Sequence, residues 1–95
     1  MCGIFGFAKT SDRQSDNQLE ILKRVFTELT DESSIRGTDS TGFSIINSDD
    51  RYTYKTLEDS SKLVDSNDWY TEILPRITRS TTIVIGHVRY ATHGK

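Results

Sequence analysis

The chain has a single cysteine in 95 residues. One thiol cannot form an internal disulfide, so the expected setting is reducing and cytoplasmic. Long hydrophobic runs are also missing. Nothing approaches the roughly 18 consecutive apolar residues of a membrane span, and no membrane partner is expected. The N-terminus, Met1-Cys2-Gly3-Ile4-Phe5, lacks the basic region and apolar stretch of a secretory leader. Charge of one sign is not in excess. Twelve basic and fourteen acidic side chains leave a net charge of −2. Without a basic cluster interleaved with aromatics, nucleic acid is not an expected partner. The hydrophobic fraction is 34%, thin for a self-sufficient globule, and points to a fragment or a small shared core. The length allows one domain, residues 1–95, but not two.

The order of elements can be read from hydrophobic period. Residues 2–8 form a short, mostly apolar run expected to be a buried strand. Polar residues Lys9 to Ser15 predict a loop. From Asp16 the period becomes helical, with Leu19, Leu22, Val25, Phe26 and Leu29 on one stripe and Ser15 or Asp16 as the cap. The stripe gives out near Glu32. Arg36 to Gly42 carries two glycines and small polar residues, the composition of a tight loop. Phe43–Asn47 predicts a strand, and Ser48-Asp49-Asp50 a turn into the alternating strand Arg51–Lys55. Leu57 to Asp65 is polar and has no clear period. Trp69, Ile73, Leu74 and Ile77 predict a second helix, capped by Ser66 or Asp68 and shortened or kinked by Pro75. Thr81–Gly86 is expected to be a β-branched buried strand, running into a polar segment that ends at Gly94. The sequence βαββαβ places the domain in the α+β class, a sheet covered by helices.

Two places hold candidate chemistry. The attacking form of cysteine is the thiolate, which is scarce near neutral pH at an ordinary thiol pKa of about 8.5. If Met1 is removed, Cys2 carries its thiol and an α-amine of pKa about 7.7–8.0 on the same residue. The amine can then serve as general base, as in N-terminal threonine nucleophiles. The other reading of Cys2 is a buried free cysteine at a strand start. The second place is Gly86-His-Val-Arg-Tyr-Ala-Thr-His-Gly94. Arg89 suits bidentate capture of a carboxylate, and alternation puts His87, Arg89 and Ala91 on one side. Thr92, His93 and Gly94 can add hydrogen bonds to the same ligand. Against this, His87 fits a structural histidine and Arg89 a surface charge. A metal site from Cys2, His87 and His93 has no common ligand spacing, so neither metal nor cofactor is expected. The Arg36–Gly42 loop lacks the spacing of a phosphate-binding loop.

Met1-Cys-Gly-Ile-Phe-Gly6, Arg36-Gly-x-Asp-Ser-x-Gly42 and Gly86-His-x-Arg-Tyr-Ala-Thr-His-Gly94 together resemble the class II glutamine amidotransferases, of the N-terminal nucleophile hydrolase type. The pattern is nearest to the glutamine:fructose-6-phosphate amidotransferase branch. The resemblance implies an αββα sandwich, of which these residues would supply only part. It implies that Cys2 attacks the side-chain amide of L-glutamine and forms a thioester, releasing ammonia and then glutamate. Arg89 would bind the α-carboxylate, with Tyr90, Ala91, Thr92, His93 and Gly94 lining the pocket. Arg36, Gly37, Asp39 and Ser40 would support the nucleophile from one side. The family's Asn-Gly oxyanion pair and an acidic residue that holds the substrate amine lie downstream of the last motif. A synthase domain or a second polypeptide is thus an expected partner. The alternative is a non-catalytic module that binds glutamine or another chain.

Overall fold

A computed structural model describes residues 2–8 and 16–90. Four strands, β1 (Cys2–Ala8), β2 (Ser40–Asn47), β3 (Arg51–Thr56) and β4 (Thr81–Arg89), form one sheet in the order β1-β4-β2-β3. Every neighbouring pair is antiparallel. Helix α1 (Asp16–Glu32) and the single-turn helix α2 (Ser60–Leu63) complete a small α+β domain.

Alternation along the strands decides which face the helices cover. Phe5, Phe43, Ile45, Val84 and Val88 point inward and are buried; Tyr52 and Tyr54 pack against them. Phe26 is the point of α1 that reaches deepest. Its ring meets Phe43 edge-on at 5.4 Å and lies 5.0 Å from Trp69, geometries that aromatic pairs favour. The Trp69 indole N–H donates to Thr27 Oγ1 at 2.9 Å, which satisfies the polar atom of a fully buried ring. The opposite face of the sheet has no layer over it among the described residues, and Ile4, Ile83 and Ile85 stand exposed there.

Several boundaries differ from the sequence expectation. Ser40 to Gly42 belong to β2, because both β3 and β4 pair with this stretch and draw it into the ladder. A 3₁₀ turn, Ser33–Arg36, precedes it, so the expected loop shrinks to Gly37–Asp39. The polar stretch after β3 contains α2, too short to show a period; Asp59 Oδ1 accepts from the Ser61 amide at its start. The expected helix from Trp69 is instead one turn of π pitch, Trp69–Ile73, followed by a 3₁₀ turn, Leu74–Arg76. Pro75 has no N–H for an α-helical ladder, so the backbone tightens there. Ser66 Oγ accepts from the Trp69 amide, while Asp68 makes no capping bond. On α1, Asp16 lies in the first turn, suited to the helix dipole, and pairs with Arg79. The other proposed cap, Ser15, lies outside the described residues.

Candidate functional site

Antiparallel register assembles the open face in rows. Cys2 stands opposite Arg89 on β4, and Arg89 stands opposite Ser40 on β2. The next row runs Ile4, His87, Gly42, Lys55 across all four strands. Side chains two apart on a strand share a face, so Cys2, Ser40, His87, Arg89 and Lys55 all project to the open side. For Ser40, Lys55, His87 and Arg89 the local reason is that Thr41, Tyr54 and Val88 alternate with them and are drawn to the core.

The backbone around this corner is tightly packed. Gly37 lies against Arg89; a Cβ on Gly37 would come within 2.5 Å of the Arg89 carbonyl carbon. The amide of Asp39 donates to the Arg89 carbonyl at 2.9 Å. Arg36 lays its Cβ and Cδ on Gly3, 2.9 Å from where a Cβ would sit. The loop that the sequence singled out therefore clamps the ends of β1 and β4, the two strands that carry Cys2 and Arg89.

Cys2 is exposed, contrary to the reading of a buried structural cysteine. With Arg89 it opens onto a cavity of about 640 Å³, lined also by Ile4, Ser40, Lys55, Leu57 and His87. That volume falls in the range of small-molecule sites. Of the residues predicted to line the pocket, Tyr90 is half exposed at the end of β4. Ala91, Thr92, His93 and Gly94 lie outside the described residues. His87, read as a structural histidine, is exposed on the open face and lines the cavity. Lys55 and Leu57 were not anticipated. Alternation predicts a solvated side for Lys55, but only the β2–β3 and β2–β4 registers bring it to His87.

Among the described residues, no group of three or more His, Cys, Asp or Glu side chains is placed to hold a metal ion. No described helix is long and apolar enough to cross a membrane.

No family model matches the chain. It is similar to the glutamine–fructose-6-phosphate aminotransferases (isomerizing) of Staphylococcus aureus and Staphylococcus epidermidis, at 31% identity over 97 aligned residues in each case. The match takes in 99% of this chain but only 13% of either enzyme. Its similarity is to their N-terminal end. The region is glutamine amidotransferase-like. Among solved structures, the fold is shared with a chain from the complex of a β-clamp processivity factor and the little finger domain of PolIV. That likeness has a TM-score of 0.59, 100% coverage of this chain and 93% of the other. At 11% identity it concerns the fold alone.

Proposed function

We propose that the chain is the N-terminal part of a glutamine amidotransferase and that Cys2 is its nucleophile. The observation that carries this reading is the pairing of Cys2 with Arg89 across β1 and β4, both opening onto one cavity. Neighbouring strands lie about 5 Å apart, and both side chains extend outward from them. A carbonyl carbon at the thiol and a carboxylate at the guanidinium therefore belong on one small molecule, and glutamine has that form. The similarity to the staphylococcal enzymes supports the same substrate.

In this mechanism Met1 is removed and the freed α-amine of Cys2 takes the thiol proton. The thiolate attacks the side-chain carbonyl carbon of glutamine. The amine returns its proton to the departing nitrogen, the C–N bond breaks, and ammonia leaves with a thioester on Cys2. Water, deprotonated by the same amine, attacks the thioester and releases glutamate. Arg89 holds the α-carboxylate throughout, so part of the barrier is met by positioning. Arg36, Gly37, Asp39 and Ser40 keep β1 and β4 in register at the reacting corner. Tyr90 to Gly94 line the substrate, and the open sheet face stacks on a second sheet to complete an αββα sandwich. The ammonia passes to a synthase domain or a second polypeptide, in a cytoplasmic setting.

Hydroxylamine tests the intermediate, because it intercepts a γ-glutamyl thioester as γ-glutamyl hydroxamate. Incubation with glutamine and hydroxylamine is expected to yield the hydroxamate, and Cys2→Ser to abolish it. Equal yields from the two proteins would overturn the reading.

A further inference from the structure

The row that holds Cys2 runs one position further than the strands. Cys2 stands opposite Arg89, and Arg89 opposite Ser40. Between β2 and β3 the register pairs Gly42 with Lys55 and Thr41 with Thr56. The same register, carried one step past the end of β3, sets Leu57 opposite Ser40. Alternation puts Leu57 on the side of Lys55, and it lines the cavity together with Cys2, Ser40 and Arg89.

Leu57 is 88% exposed. A single exposed leucine is ordinary on a protein surface, but the backbone around this one is pinned. The buried Thr41 hydroxyl donates to the Glu58 carbonyl at 2.9 Å, and the Glu58 amide donates to Thr56 Oγ1 at 3.2 Å. One residue on, Asp59 Oδ1 accepts from the Ser61 amide at the start of α2. The side chain stands clear of the core while its backbone is fixed to β2 and to the start of α2.

We infer that Leu57 is a specificity-determining residue, the end wall of a slot whose other end is the Cys2 thiol and whose floor is Arg89 and Ser40. The slot admits glutamine as the free amino acid. It excludes glutamine acylated on its α-nitrogen, such as the C-terminal residue of a peptide. The inference deepens the glutaminase reading and rests on it.

Length decides the substrate class. Three strand spacings of about 5 Å put Cys2 and Leu57 about 15 Å apart. A contact distance of about 3.5–4 Å at each end leaves about 7–8 Å, room for one extended amino acid of glutamine's size. With the carboxylate at the Arg89 guanidinium, the α-nitrogen is the substituent turned toward Leu57. A free ammonium there stays hydrated at the open mouth of the cavity, whereas an acyl group needs the space that the leucine fills. Ser40, between anchor and wall, is small and leaves the floor clear.

Two probes that differ only at the α-nitrogen provide the test: the diazoketone analogue of glutamine and its N-acetyl derivative. Each is followed by intact mass as the rate of adduct formation on Cys2. The wild-type chain is expected to react at least about tenfold faster with the free analogue, the discrimination that one misfitting group in a close pocket gives. In Leu57→Ala the N-acetyl probe should gain about tenfold on the free one. Leu57→Met keeps the length of the wall and should retain the wild-type ratio. Circular dichroism checks that both variants are folded, as expected for changes at an exposed side chain. A wild-type chain that takes both probes equally fast would overturn the inference. So would an unchanged ratio in Leu57→Ala, or a ratio in Leu57→Met as relaxed as in Leu57→Ala. Each of these results leaves the glutaminase reading standing, because the free analogue still labels Cys2. No adduct with either probe would overturn both.

Discussion

Cys2 and Arg89 are register partners across the β1–β4 ladder, and the Arg89 carbonyl accepts from Asp39 in the loop behind it. The proposed nucleophile and the proposed carboxylate anchor are thus set by backbone hydrogen bonds rather than by flexible side chains.

The anchor is testable by a change that keeps the charge. Arg89→Lys replaces a planar fork with a point charge and loses one of two charge-assisted hydrogen bonds. Such a bond contributes about 1.5–3 kcal/mol, so glutamine affinity should fall roughly tenfold to a hundredfold. Calorimetric titration checks this, and unchanged affinity would remove Arg89 from the pocket.

Gly37 reports on the clamp. An added Cβ meets Arg89 backbone at 2.5 Å, where no rotamer change relieves the overlap. Gly37→Ala should cost about 1–3 kcal/mol in urea unfolding. It should also slow modification of Cys2 by a glutamine analogue, because β2 and β4 are pushed apart at the reacting corner.

In the core, Thr27→Val removes the acceptor of the Trp69 indole N–H and leaves that donor buried. A loss of about 1–3 kcal/mol is expected. Urea unfolding followed by the fluorescence of this single tryptophan measures it. A fully stable variant would mean that water reaches the indole.

Asp59 contributes to the acid limb of stability. Burial pushes its carboxyl up, but hydrogen bonds from the Ser34 hydroxyl and from the Ser61 amide and hydroxyl, with the Lys62 charge, leave it lowered. Its folded pKa is below the unfolded value near about 3.9. The native state therefore binds fewer protons, and the stabilisation is present above about pH 4 and lost as pH falls through the folded value. Asp59→Asn keeps a capping acceptor and should flatten that loss, whereas Asp59→Ala should cost about 1 kcal/mol already at pH 7. Unfolding midpoints from pH 7 down to about 2 separate the three proteins.

Much of this was legible in the residues. The alternation in Arg51–Lys55 gave a strand with the right solvated face, and the stripe through Phe26 gave α1 its inward side; the β-branched run of Thr81–Gly86 gave a strand but read as buried, whereas Ile83 and Ile85 stand on the open face. The three motifs named the loop and the two strands that meet at the corner. What could not be read was set by partners distant in sequence. Lys55 enters the cavity only through the β2–β3 register, and Ser40 joins β2 because two strands pair with it. One turn of helix at Ser60–Leu63 carries no period, and the loss of an N–H at Pro75 reshapes the turns around Trp69 in a way that spacing alone does not specify.

The central claim is that Cys2 is an activated thiol at a glutamine site. Intact mass of the chain after exposure to a diazoketone analogue of glutamine tests it most directly, with Cys2→Ala alongside. Loss of Met1 and one covalent adduct, absent from Cys2→Ala, is the predicted result. An unmodified chain, or an adduct that persists in Cys2→Ala, would contradict it.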